Sequence, residues 1–194
     1  MKIGVLAVQG DFAAHGKMLA RLGAEPVYVR VREHLEGLCG LVLPGGESST
    51  MLKFLENEGL FDAVRNFAAR RPLLGTCAGT ILMATQVSRP SQRSLGLMEM
   101  AVERNAYGRQ VDSHIATLDP PAEFAERAGS GSLEAVFIRA PIIRRVGPGC
   151  TVLLRHQGDP VLVEQDRHLA ATFHPELTAD TRIHGLLLAK AAGE

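Results

Sequence analysis

Short apolar runs alternate with helix-patterned segments through the first half of the chain, and this alternation narrows the fold more than any other feature. Ile3 to Val8 leads into a helical pattern over Asp11 to Leu22, and Pro26 to Val31 follows. Leu41 to Leu43 leads into Ser48 to Arg70, and Leu73 to Leu74 into Cys77 to Gln86. That order builds βα units around a mostly parallel sheet. The first helix presents Phe12, Met18, Leu19 and Leu22 as its apolar face, and Gly23 supplies a stop. From about Ala101 short strands take over: Ala101 to Arg104, Val136 to Ile138, Val152 to Leu154, Val161 to Glu164 and Leu169 to Phe173. They either extend the sheet or form a smaller antiparallel layer. Thr181 to Ala192 reads as an amphipathic helix, and Ser88 to Gly96 and Asp119 to Ser132 as polar loops.

A chain of 194 residues, 46% hydrophobic, buries roughly 70% of its unfolded surface and fills one core. Its 21 basic and 21 acidic residues cancel, so no net field favours nucleic acid or an anionic membrane. Met1 to Gln9 carries an apolar run too short for a signal peptide. Pro72 to Ser88, though free of charge, is interrupted by Gly, Thr and Gln and reads as core rather than bilayer span. A cytoplasmic protein with small, roughly neutral ligands is expected. Cys39, Cys77 and Cys150 are far apart with no CxxC pair, which argues against a disulfide framework and against a metal site.

One cysteine has a special frame. Leu73 to Gly79 reads LLGTCAG, a buried strand followed by GxCxG with a helix pattern beginning at once, the setting of a nucleophile elbow. Glycines on either side allow close backbone approach while the central residue sits on a strained turn. A helix N-terminus favours a thiolate, and the backbone N–H of Ala78 is free to stabilise an oxyanion. Cys39 and Cys150 lack such a frame and read as small buried hydrophobes.

A cysteine nucleophile requires a base, and the base an orienting group. Among seven histidines, His174 stands out in the run His174, Pro175, Glu176 after an apolar segment. Proline at 175 biases His174 toward an extended backbone, where residues two apart project to one side, so imidazole and carboxylate can pair. The remaining histidines, His15 and His184 among them, read as surface or packing residues. A second glycine turn follows Leu41 to Leu43 as Pro44, Gly45, Gly46, Glu47, Ser48. It lacks the pattern of a nucleotide P-loop, and a second backbone oxyanion donor at Gly46 is the better functional reading.

LPGGES, GTCAG and FHPE together resemble the class I, triad-type glutamine amidotransferases. VQGDFAAH at 8–15, VERNAYGRQVDS at 102–113 and FIRAP at 137–141 are similar to the glutaminase subunits of pyridoxal 5'-phosphate synthases. The resemblance runs from Ile3 to about Thr178. It implies one α/β domain over 1–194, a flavodoxin-like three-layer sandwich with a mostly parallel central sheet plus a small antiparallel extension. It further implies hydrolysis of L-glutamine through a thioester on Cys77, with His174 as base and Glu176 as orienter. Gly46, Glu47, Ser48, Arg104, Ile138 and Arg139 match positions that contact glutamine in that family. Ammonia would pass to a (β/α)8 synthase subunit, glutamine would be turned over slowly until that subunit docks, and no cofactor is required. Arg104 and Arg139 have a blander reading as structural ion-pair partners. Many members carry Glu where Ala14 stands, which bears on a partner contact rather than on the chemistry. The rivals are an ammonia donor for another pathway and a redox-sensing flavodoxin-like cysteine protein; the latter typically carries Glu where Gln9 stands and leaves the HPE pair unexplained.

Overall fold

The computed structural model describes residues 1–104 and 113–193. Most of the VERNAYGRQVDS segment therefore lies outside the described residues. In chain order the elements are β1 (Lys2–Leu6), α1 (Phe12–Arg21), β2 (Glu25–Val29), β3 (Gly40–Leu43), α2 (Ser48–Asn57), α3 (Leu60–Ala68), β4 (Leu73–Thr76), α4 (Ala78–Met83), β5 (Ala84–Ser88) and β6 (Met98–Glu103). They continue with β7 (His114–Leu118), α5 (Ala122–Ala128), β8 (Leu133–Phe137), β9 (Ile142–Val146), β10 (Thr151–His156), β11 (Asp159–Gln165), β12 (His168–Ala171) and α6 (Arg182–Ala192).

Seven strands form the central sheet in the order β10-β11-β12-β4-β3-β1-β2. The pairs from β12 through to β2 are parallel, while β10 and β11 add an antiparallel edge. Alternation along each strand divides the core between two faces. Leu6, Leu41, Leu43 and Leu73 pack with α2, α3 and α4, whereas Ile3, Val5, Val42 and Leu74 pack with α1, α5 and α6. The result is the expected three-layer arrangement. The late strands do both things left open by the sequence: β10 to β12 join the main sheet, and β5-β6-β9 and β7-β8 form two small sheets over its flanks.

Several local expectations are corrected. The pattern over Ser48 to Arg70 is two helices, because Gly59 adopts a left-handed conformation with φ 64° that resets the chain direction. The helix expected over Cys77 to Gln86 stops at Met83, and the residues after it pair in parallel with β6. Strand pairing here overrides a helical periodicity too short to hold by itself. The polar stretch Asp119 to Ser132 contains α5, anchored by the fully buried Phe124.

Both glycines of GTCAG are required by packing. A methyl at Gly79 would run into the Leu43 carbonyl and stand 2.8 Å from its carbon; one at Gly75 would stand 2.6 Å from Met83 Sδ and 2.8 Å from the Gly79 carbonyl carbon. These contacts let α4 sit directly on β3 and β4. Gly79→Ala is expected to destabilise the fold by about 3 kcal/mol through backbone overpacking. Gly185→Ala, on α6 where an added methyl meets nothing within 4 Å, should instead stabilise by up to about 1 kcal/mol. Urea unfolding of the two variants measures the contrast.

Candidate active site

The parallel strands β1, β3, β4 and β12 end on one edge of the sheet, where open α/β folds carry their sites. Cys77 follows β4 with φ 45° and ψ −104°, a positive φ that an L-residue adopts only when its surroundings hold it there. They do so here through β12. The Cys77 N–H donates to the Ala171 carbonyl at 2.9 Å, and the Thr80 hydroxyl lies 2.6 Å from the same oxygen and 3.1 Å from the Gly75 carbonyl. The elbow is thereby tied to the strand that leads to His174. Ala78 opens α4, so its N–H is among the first-turn donors with no acceptor inside the helix.

His174 is positioned by its own N–H, which donates to Val136 O on β8 at 2.8 Å. The pairing of His174 with Glu176 arises differently from the extended geometry expected: Pro175–Leu177 is a 3₁₀ turn, with proline at its first position. Within that turn His174 Nδ1 lies 2.7 Å from Glu176 Oε1. Burial disfavours a charged imidazole at this position, but the neighbouring Cys77 thiol and the Glu176 carboxylate outweigh it and hold His174 well above its ordinary pKa. Burial likewise opposes the Glu176 charge, yet His15 and His174 hold that carboxyl well below the usual range. The Cys77 thiol, nearly buried, also lies 3.9 Å from the Ile138 carbonyl.

Meeting of ring and thiol depends on a residue that sequence reasoning passed over. A methyl on Gly45 would collide with His174 Cε1 and stand 3.1 Å from its Nδ1 and 3.4 Å from Cys77 Cβ. Only the absence of a side chain there leaves room for both. Gly10 packs against the Gly45 carbonyl just as closely, and Gln9 Nε2 donates to the Glu47 carbonyl, so the end of β1 braces the glycine turn.

Gly46, Glu47, Ser48, Arg104, Ile138 and Arg139 line one cavity together with Cys77. Glu47 also caps α2, accepting from Thr50 N at 2.8 Å. Partial burial opposes its charge, but donors from Ser49 and Thr50 bring its pKa down to about 2. Arg104 Nη2 pairs with Glu47 Oε1 at 2.9 Å across the cavity mouth, and Ser48 Oγ donates to Gln92 at 3.0 Å. Arg104 is thus an ion-pair partner; Arg139 is exposed, with φ 45°. Among the described residues no cluster of His, Cys, Asp or Glu suits a metal ion, and no helix is long and apolar enough to cross a membrane.

Two histidines read from sequence as surface or packing residues are buried, and they lie behind Glu176. His15 and His184 are both fully buried, with His15 Nε2 3.3 Å from Glu176 Oε2 and His15 Nδ1 2.9 Å from His184 Nε2. A signal existed: His15 falls on the same stripe of α1 as Phe12, Leu19 and Leu22, at helical spacing.

A model of the SNO glutamine amidotransferase family matches residues 5–192. The chain belongs to that family. A relative from Solibacter usitatus, named pyridoxal 5'-phosphate synthase subunit PdxT, is 60% identical over 189 residues, covering 97% of this chain and 98% of the relative. One of the same name from Koribacter versatilis is 53% identical, covering 97% and 94%. A crystal structure of a glutamine amidotransferase superposes with a TM-score of 0.89 at 48% identity, over 98% of each chain. This family membership agrees with the resemblance carried by the LPGGES, GTCAG and FHPE motifs.

Buried histidines held neutral should make the fold sensitive to acid. Burial holds His184 at about 3, and burial with Arg167 holds His168 at about 4. His168 Nδ1 accepts from the Leu73 N–H at 3.2 Å, a role open only to the neutral ring. The unfolded chain protonates both near pH ~6.5. The contribution of these two histidines is therefore full above that pH and falls below it, by up to about 1.4 kcal/mol per pH unit for each group, until the folded pKa is passed. Urea melts from pH 7 to 4 should follow this slope. His168→Asn, which retains an acceptor near the Nδ1 position, should flatten it by up to one proton; an unchanged slope in that variant rules out His168 as a source.

Proposed function

We propose that this chain hydrolyses L-glutamine to glutamate and ammonia as the glutaminase subunit of a pyridoxal 5'-phosphate synthase, working in the cytoplasm as one domain over 1–194. The observation that carries this reading is the convergence of Cys77, His174 and Glu176 on one sheet edge in a chain whose relatives bear that subunit's name.

The side-chain amide of glutamine enters the cavity beside Cys77. Sγ attacks the amide carbon, and the oxygen that gains charge is met by the backbone N–H groups of Ala78 and Gly46. His174 takes the thiol proton and passes it to the departing ammonia as the C–N bond breaks, leaving a thioester on Cys77. Water then attacks the thioester with His174 accepting its proton, and glutamate leaves as the thiol is restored. Glu176 keeps the imidazole aligned and stabilises its charged form. Glu47, Ser48, Arg104, Ile138 and Arg139 bind the substrate around this centre. Ammonia passes to the (β/α)8 synthase subunit, and the chain itself uses no cofactor.

Cys77→Ala should reduce ammonia release to background while leaving the fold intact. Glu176→Ala should lower kcat by roughly 10²–10⁴-fold yet leave measurable turnover, since an orienter contributes less than the nucleophile. A diazoketone analogue of glutamine should label Cys77 and spare Cys39 and Cys150. Ammonia release assayed with and without the synthase subunit tests the partnership; labelling at Cys150, or no turnover in either arm, contradicts the proposal.

A further inference from the structure

The carboxylate of Glu176 has two sides, and the mechanism above uses one. Oε1 faces His174, whereas Oε2 is buried against His15 Nε2 at 3.3 Å, off the line of a good hydrogen bond. The same nitrogen lies 3.2 Å from Thr76 Oγ1, on the last residue of β4 before the elbow. The other nitrogen of His15 meets His184 Nε2 at 2.9 Å, and the remaining nitrogen of His184 is buried without a partner among the described residues. A continuous buried line of groups thus runs from Cys77 through His174, Glu176 and His15 to His184, linking α4 to α1 and α6.

We propose that His15 is a positioning residue that holds the free oxygen of Glu176, and that His184 holds His15 in the tautomer able to do so. This deepens the proposed function and rests on Cys77, His174 and Glu176 being its reactive set. The tautomers follow from proton counting. A neutral imidazole has one N–H and one lone pair, and the 2.9 Å contact between the two rings requires one donor. With the proton on His184 Nε2, His15 Nδ1 accepts it, and His15 turns its Nε2–H toward Glu176 and Thr76. The reverse arrangement turns a lone pair toward a carboxylate and leaves a buried N–H on His184 with no acceptor. Both consequences are unfavourable, and orphaned buried N–H groups are the rarer kind of defect. The unpartnered His184 Nδ1 therefore gives the line its direction. The His174 contact on Oε1 and the His15 Nε2–H, directed between Thr76 Oγ1 and Oε2, then restrict the rotation of Glu176 and through it the ring that faces Cys77.

Replacements that reach one ring nitrogen but not the other make the test. In His184→Gln the side-chain amide extends to the place of Nε2 and can still donate to His15; in His184→Asn it ends near Nδ1 and cannot. His15→Gln keeps a donor toward Glu176, and His15→Leu removes it. Steady-state ammonia release is measured with the synthase subunit present, the alkylation rate of Cys77 by iodoacetamide is read by mass, and thermal melts check the fold. His184→Asn and His15→Leu are expected to lose about 10–100-fold in kcat with little change in KM, as misplacement of a catalytic group does. Alkylation should slow in step, while both Gln variants stay within a few-fold of the parent chain.

Equal losses for Gln and Asn at 184 in folded proteins would mean a packing role only and would overturn the proposal. So would parent-like rates in all four variants. If His15→Leu does not fold, the Gln and Asn pair at 184 decides alone. Alkylation requires no glutamine, so a parent chain that reacts at Cys77 with this variant pattern but releases no ammonia overturns the glutaminase reading and leaves the positioning role supported.

Discussion

One carbonyl oxygen, that of Ala171, joins the two halves of the candidate site. It accepts the N–H of Cys77 and lies within hydrogen-bond distance of the Thr80 hydroxyl, while its own strand runs on to His174. The strained turn at Cys77 and the approach of His174 are thereby fixed relative to one another by parallel pairing of β4 and β12. A buried carbonyl with two donors is satisfied at both lone pairs, so the elbow keeps its positive φ without leaving a polar group orphaned. Loss of that register would separate sulfur from imidazole even if every side chain were retained.

Around this joint the chain makes room by omission. Gly75 and Gly79 allow α4 to rest on β3 and β4, Gly45 leaves space for the His174 ring, and Gly10 admits the Gly45 carbonyl. Each of these positions would collide with backbone or with a neighbouring side chain if it carried a methyl. The glycines are spread over four segments, yet all serve one close approach of the sheet's C-terminal edge to the turns above it. Charge is arranged by the same economy. Glu176 stays ionised in a buried setting because histidines face it on two sides, and the exposed Glu47 is held ionised by donors of the helix turn it caps.

Much of this is legible in the sequence. Strand-turn-helix around Cys77 rests on local rules: a buried run, two glycines and an immediate helix pattern admit few other conformations. His174 and Glu176 were legible as a pair because they are two residues apart, although their geometry was misjudged: Pro175 begins a 3₁₀ turn, where an extended segment was expected. Local pattern failed where partners are distant. Ala84 to Ser88 has a helical continuation in sequence, yet its pairing with β6 makes it a strand. Gly59 divides one periodic segment into two helices, a break that the apolar spacing alone conceals. His15 sits on an inward stripe that was visible, but nothing nearby in sequence says that it faces Glu176.

By itself, then, the sequence determined the βα order, the elbow, the pairing of imidazole with carboxylate and the family resemblance. All of these depend on residues within a few positions of each other or on motifs read whole. Tertiary structure alone decided that Ala171 holds the elbow, that Gly45 clears the ring and that two buried histidines back the carboxylate. The reason is separation: Cys77 and Ala171 lie on strands that become neighbours only in the folded sheet, and His15 and His184 meet across 169 positions of chain. Contacts of that kind are set by packing of whole layers, which no local pattern encodes.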